Sequence, residues 1–498
     1  MTRPAPSLLD TISSHANNYT LIRWVLASSV VYYHAFHLSS DKHLADRLTL
    51  ALLPTTSVGG LAVQCFFFLS GLFVAQSWLR DRNVLAYAAR RALRIWPGLL
   101  VCVALTLPVA ALLSQPGQFG NYLAHPQFHE YIAYNGILQF KYQVIGMFSD
   151  HYTNAINGSI HTLWLETKMY MLLGTLGLLG MLGSERRIAL VSGALVAFAC
   201  IWPLFTKQPL PINDHDQHLV AMFCAGMLTF GLARHLRIAV WQALPLAALA
   251  TFTKGPLHTF AFFAFAAWIL LYLGQARWIP RRLHLREDHS YGIYIYGWPC
   301  GQFVVALAPD IGPLALTAVS LPLAWLLAMA SWRYVEKPAM GFGRDIAARF
   351  TNRKKETANE ASETIAKPRR WPAATPLVAM LAALHIGTFA AARWTSRHPP
   401  EPALPMATSI IAFGPDTARA GKRMNPLWLK VDSQPDPATR VILDGRPLPT
   451  VVGDKLVTAK APRWLLLRPG QHEISLQLHG LTQTQRSNSV TLVVTPGE

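Results

Sequence analysis

Charge is what this sequence has least of: 14% of its 498 residues are charged against 52% hydrophobic, and 26 acidic residues face 44 basic ones. So little charge on so long a chain excludes a disordered protein, and a mean hydropathy of +0.26 points to lipid as the main solvent. Cysteine is scarce as well. The five present, Cys65, Cys102, Cys200, Cys224 and Cys300, fall in apolar stretches without the spacing of a zinc site or a redox pair. They read as small core residues, and no metal is expected. The first twenty residues lack the basic start, apolar middle and small-residue end of a cleaved leader, so the first apolar run is expected to remain as a helix. The formal charge of +18 does not describe a nucleic-acid surface, because the basic residues gather at the ends of apolar runs.

What is present is a series of runs long enough to span a bilayer, at about 21–38, 58–78, 95–113, 163–182, 188–205, 219–232, 238–252, 259–273, 291–307, 314–332 and 373–392. The predicted fold is an all-α polytopic membrane protein of about ten or eleven spans, followed by a small all-β sandwich-like domain. Lys and Arg alternate across the connections. Twenty-three fall on one side, among them Arg80, Arg82, Arg90, Arg91, Arg94, Arg186, Arg187 and ten residues between Arg333 and Arg370, against five on the other, Lys42, Arg47, Lys141, Lys207 and Lys254. Short basic loops stay in the cytoplasm, so the N-terminus is expected inside and everything after the eleventh span outside. The expected units are a membrane domain over 1–340, a cytoplasmic linker over 341–371, a further span over 372–393, a Pro-rich tether over 394–405 and a β domain over 406–498. Strands are predicted at 409–413, 427–431, 440–443, 456–459, 464–467, 471–478 and 489–494, with turn signals at Asp444-Gly445, Gly453-Asp454 and Pro469-Gly470.

Several polar residues inside the runs need a reason. Arg23 and His34 stand eleven residues apart, about three helical turns, which puts them on one stripe roughly 16 Å apart along the axis. Glu166 and Tyr170 are one turn apart in the fourth run, where a carboxylate is expensive unless it faces a polar cavity or a partner. Arg90, Arg91 and Arg94 cluster before the third run, a set of guanidinium forks suited to phosphate, and Pro97 is expected to break or start a helix there. Each has a plainer reading as well: a snorkelling anchor, a structural ion pair, and the ordinary basic loop of a membrane protein.

Taken in order, these segments resemble the acyltransferase-3 family of integral membrane O-acyltransferases over roughly residues 15–340. Arg23 and His34 match its Arg, ten residues, His signature, and VQCFFFLSGLFV resembles its Phe-Phe, Ser-Gly segment through Phe66, Phe67, Ser70 and Gly71. RRALRIWP matches through Arg91, Arg94 and Pro97, LWLETKMY through Trp164, Glu166 and Tyr170, SYGIYIYGWP through Ser290 and Tyr291, and RYVEKP through Glu336 to Pro338. One departure is Gly297, where many members carry His. The tail lacks a Gly-Asp-Ser nucleophile and, on strand pattern alone, resembles an immunoglobulin-like module.

The resemblance implies transfer of an acyl group, most often acetyl, from cytosolic acyl-coenzyme A to a hydroxyl of an envelope glycan such as O-antigen, capsule or exopolysaccharide, in a bacterial inner membrane. It implies His34 as base or acyl carrier, Glu166 as its orienter or the acceptor's, and Arg23 along the donor path. Arg90, Arg91 and Arg94 would hold the coenzyme's phosphates, and Ser70, Tyr170 and Trp164 would line the site. No cofactor is expected to be bound permanently, acetyl-coenzyme A serving as a substrate. The implied partners are the lipid bilayer, acyl-coenzyme A, the glycan and an envelope-biosynthesis protein met through the periplasmic β domain. The rival readings are a transporter or flippase of a lipid-linked glycan, using Arg23, His34 and Glu166 as a polar pathway, and a membrane anchor for a binding module in the tail.

Overall fold

The computed structural model describes residues 7–356 and 409–496, apart from short segments within each stretch. The span expected at 373–392, the tether and the strand expected at 464–467 lie outside the described residues. A short α1 (Leu8–Ser13) precedes α2 (Tyr19–Leu38), α3 (Arg47–Leu52), α4 (Val58–Asp81) and α5 (Val84–Ser114). After α6 (Phe119–Ala124) and α7 (Pro126–Gly136) come α8 (Thr162–Leu178), α9 (Glu185–Thr206), α10 (Asp214–Leu232), α11 (Ala243–Phe252) and α12 (Gly255–Gln275). The helical part closes with α13 (Ser290–Leu307), α14 (Pro313–Ser331) and α15 (Lys337–Glu356).

All ten apolar runs between residues 21 and 332 are helical. Among the described residues, Val58–Asp81, Val84–Ser114, Leu257–Gln275 and Pro313–Ala348 are long and apolar enough to cross a bilayer by length and composition. Of the other six, α8 and α11 are shorter, and α2 carries Arg23 and His34. A lipid core offers no water to satisfy backbone groups, which is why each run closes its hydrogen bonds within itself as a helix.

The break placed at Pro97 does not occur. α5 runs through Pro97 and Pro108 for 31 residues. Proline removes one intrahelical hydrogen bond, and here tertiary packing holds the helix across the gap. Gly98 lies against the ring of Tyr291, and the Tyr291 hydroxyl donates to the Ile95 carbonyl at 2.7 Å. Arg90, Arg91 and Arg94 therefore stand on a continuous helix and project at fixed angles, not from a loop.

Two close approaches set the helix positions around the site. A Cβ on Gly71 would meet the Phe223 carbonyl oxygen at 2.0 Å, and one on Gly226 would meet that of Phe68 at the same distance. Such a crossing of α4 and α10 admits only glycine on either side. It fixes the neighbouring Ser70. At the second, a Cβ on Gly297 would lie 2.5 Å from Val31, so this glycine is the place where α13 rests on α2.

Between α14 and α15 the residues Trp332–Glu336 form a π-helical turn, which inserts Glu336 at 1% exposure into the bundle. α15 then continues into the expected linker, where the described residues are helical to Glu356.

From residue 410 onward the only regular elements among the described residues are strands. The strands are β1 (Ile410–Gly414), β2 (Thr417–Arg419), β3 (Leu427–Val431), β4 (Arg440–Leu443), β5 (Arg446–Pro447), β6 (Thr450–Val452), β7 (Leu456–Ala459), β8 (Gly470–His479), β9 (Thr484–Arg486) and β10 (Val490–Thr495). One sheet is ordered β1-β3-β7-β6, the other β2-β10-β8-β4-β5, with β9 on β8. Period-two burial shows in β3, where Leu427, Leu429 and Val431 point inward and Trp428 and Lys430 outward. The inward residues of both sheets share one core with Val441, Ile474 and Leu492. Asp444 and Gly445, at φ 48° and 75°, make the tight turn between β4 and β5.

Candidate active site

Because α2 is one uninterrupted helix, Arg23 and His34 share a stripe, and that stripe faces two cavities in succession. Arg23 lines a cavity of about 140 Å³ together with Ser70, Arg91, Arg94, Glu166 and Tyr170. His34 lines a second, of about 480 Å³, with Ser57, Gln64, His161 and His218. The cavities abut, and Val63 and Tyr294 belong to the walls of both.

In the first cavity the charges are unequally occupied. Arg23 pairs with Asp288 at 2.9 Å, and Arg94 pairs with Asp288 at 3.3 Å and with Glu336 at 3.1 Å. Asp288 lies in the segment before α13. Burial alone would push its carboxyl up, but Arg23, Arg94 and hydrogen bonds from Ser290 outweigh that and hold it at about 2. It stays ionised and ties α2 and α5 to the start of α13. Arg91 differs. It has no carboxylate partner among the described residues, its Nε is buried without a hydrogen bond, and its guanidinium lies 5.7 Å from the Tyr170 ring. A cation left open at the wall of a cavity is an anion site in waiting. Opposite it, Tyr170 donates to Glu166, and Ser70 joins them at 3.0 Å from the Tyr170 hydroxyl and 3.5 Å from the carboxylate.

Around the second cavity an ordered segment delivers polar groups to His34. Gln302 is fully buried and donates to the carbonyls of Thr153 and Ala155, both at 2.7 Å. Trp298 donates to the Ala155 carbonyl, and Asn157 to that of Ile295. The segment riveted to α13 in this way brings Ser159 Oγ to 3.4 Å from His34 Nδ1. Trp298 also stands edge-on to His34, with centroids 4.8 Å apart, and packs directly on Gly158. If Ser159 accepts from Nδ1–H, the other ring nitrogen is left as the acceptor facing the cavity. Ser159→Ala is expected to lower kcat roughly fivefold, the equivalent of one lost hydrogen bond of about 1 kcal/mol, with KM unchanged. Initial rates over a range of donor concentrations check this; an unchanged kcat would leave Ser159 a packing residue.

The site residues read from the sequence thus divide. Arg23, Arg91, Arg94, Ser70, Glu166 and Tyr170 come together in the first cavity, and His34 occupies the second. Glu166 bonds Tyr170 and Ser70 and not His34, whose hydrogen-bonding neighbour is Ser159. Arg90 turns away to pair with Asp81 at 2.5 Å. Trp164, 39% exposed, lies outside both cavities with the Lys168 ammonium 4.9 Å from its ring. Asp288, Ser159 and Tyr294 escaped the sequence reading. Asp288 meets Arg23 across 265 positions of chain, a separation no local pattern reports.

Apolar helices around two adjoining polar cavities, one lined by arginines and one by a histidine, are the architecture of a multi-pass membrane protein. The profile of the acyltransferase-3 family, an acyltransferase domain, matches residues 17–333, and the chain belongs to that family. Among curated proteins it is similar to Nodulation protein 10 of Rhizobium leguminosarum bv. viciae, 28% identical over 380 residues that make up 68% of this chain and 96% of that protein. It is also similar to the O-acetyl transferase of Shigella phage Sf6, 25% identical over 333 residues, 65% of this chain and 95% of that one. No solved structure matches the chain. The protein is a membrane acyltransferase, and its β domain lies beyond the matched region.

Proposed function

We propose that this protein transfers an acyl group, acetyl in the first instance, from acyl-coenzyme A to a hydroxyl of a cell-envelope glycan. The observation that carries the reading is the pair of cavities meeting at Val63 and Tyr294, with Arg91, which has no carboxylate partner among the described residues, in one and the candidate base in the other. On this reading the Arg91 cavity opens toward the cytoplasm of a bacterial inner membrane, and Arg91 holds a phosphate of the coenzyme there. Arg23 and Arg94, already committed to Asp288 and Glu336, shape the wall along which the pantetheine arm passes. His34 removes the proton from the acceptor hydroxyl as it attacks the thioester, and the histidine ring can hand that proton on to the departing thiolate. The hydroxyl-, amide- and imidazole-lined second cavity receives a sugar from the periplasmic side. The β domain sits on that same side and presents the glycan or an envelope-biosynthesis partner. The name of the phage relative supports acetyl as the group moved.

The test is transfer of label from acetyl-coenzyme A to isolated envelope glycans in purified membranes. Label in the glycan is expected; none from a broad panel of acyl donors, with lipid-linked glycan crossing the bilayer instead, would move the protein to the transporters. Within the same assay, Arg91→Gln is expected to raise the donor KM about tenfold or more while kcat changes little, since a charge-assisted hydrogen bond of about 1.5–3 kcal/mol is lost. An unchanged KM would place the phosphate elsewhere.

A further inference from the structure

Where the two cavities meet, the wall carries one polar side chain common to both. Val63 offers only methyl groups there, whereas Tyr294 presents a hydroxyl, 2.6 Å from Thr162 Oγ1. Both residues are buried, and Thr162 lines the first cavity alone. A thioester arriving from the Arg91 side and an alcohol arriving from the His34 side come together beside this phenol.

The reaction needs something at that point. As the acceptor oxygen attacks, a C–O bond forms, the carbonyl π pair moves onto oxygen, and the alcohol proton passes to His34. The oxyanion then collapses, the C–S bond breaks, and the departing thiolate takes the proton back from the imidazolium, giving ester and free coenzyme thiol. On this reading His34 is engaged with the acceptor's proton and Arg91 with the donor's phosphate, each lining only one cavity, so the oxyanion needs a donor of its own. Helix amides nearby are occupied by their own ladders.

We propose that Tyr294 is the hydrogen-bond donor to the oxyanion, with Thr162 as the group that aims it. If the Thr162 hydroxyl donates to the phenol oxygen, the phenol O–H is free to point into the junction, and it arrives already desolvated and ordered. A preorganised donor of that kind acts only as charge develops, so it raises kcat without tightening ground-state binding. The edge of the Phe66 ring, with its centroid 6.4 Å from that of Tyr294, limits the swing of the side chain. This inference rests on the acyl-transfer reading.

The decisive variant is Tyr294→Phe, which keeps the ring and removes only the hydroxyl. Full-length protein in membranes is assayed with acetyl-coenzyme A and a glycan that the wild type acetylates, alongside binding of a non-reactive thioether analogue of the donor. The expected result is a fall in kcat on the order of 100-fold, with donor and acceptor KM within about twofold and analogue binding retained. Thr162→Val is expected to give a smaller loss in kcat with the same unchanged KM values. A Tyr294→Phe enzyme within about threefold of wild-type kcat overturns the assignment, and so does loss of analogue binding, which would make the hydroxyl a structural group. Wild type that transfers no label to any acceptor is a different outcome, and removes the acyl-transfer reading itself.

Discussion

Replacing His34 by alanine is expected to lower acyl transfer on the order of 1000-fold while leaving the protein in the membrane at its normal level. General-base assistance by a positioned histidine contributes roughly 10²–10⁴-fold, and His34 lines the second cavity. The fold should tolerate the change, because His34 is half-buried against a cavity and its contacts are one 3.4 Å hydrogen bond and aromatic edges. Rates per unit of protein, normalised by immunoblot, check the expectation. His161 and His218 line the same cavity, and substituting either should cost far less than substituting His34. Equal losses for all three would indicate a shared proton path in place of a single base.

Arg94→Met carries the largest expected effect on stability. Glu336, inserted by the π-helical turn, has Arg94 as its charged partner and Ser331 as a neutral one, the latter donating at 3.0 Å. Removing the guanidinium leaves the Glu336 carboxyl, at 1% exposure, with Ser331 as its remaining partner, and breaking a buried pair in this way costs about 3 kcal/mol. Asp288 suffers less, since it keeps Arg23. Thermal unfolding of purified protein in detergent should show a markedly lower midpoint. The double variant Arg94→Met with Glu336→Gln should recover part of the loss, because the stranded charge is gone. Strict additivity of the two single losses would contradict the coupling.

Much of the helical architecture was legible because lipid imposes a simple rule: a run of apolar residues long enough to span must be a helix. The β domain was legible through a second rule, alternation bounded by turn residues, which located β3, β4 and β7 to the residue. The strands of two or three residues, β2, β5, β6 and β9, carry too few residues for alternation to show. α7 was missed because PQFHEYIAYNG is too polar to suggest a span, although Pro126 at its first turn and the His125 cap are ordinary start signals. Pro97 misled for the opposite reason. A local breaker is overruled when tertiary packing, here Gly98 on Tyr291, supplies what the lost hydrogen bond does not.

Within the site, pairs on a single helix were readable and pairs between distant segments were not. Glu166 and Tyr170, one turn apart, do form a hydrogen-bonded pair. Arg90, Arg91 and Arg94 look equivalent in sequence, yet the helix sends Arg90 to Asp81, Arg94 to Asp288 and Glu336, and leaves only Arg91 open. Which arginine is available is a consequence of tertiary pairing. The same holds for Tyr294, one of several tyrosines in SYGIYIYGWP, whose place at the junction depends on how α13 lies against α2.

The most direct test of the two-cavity account is sidedness in sealed inverted vesicles, where acetyl-coenzyme A added outside meets the cytoplasmic face and the glycan acceptor is enclosed in the lumen. The account predicts that wild-type vesicles accumulate label on the enclosed acceptor and that His34→Ala vesicles do not. Label appearing only on acceptor added to the same side as the donor would contradict it.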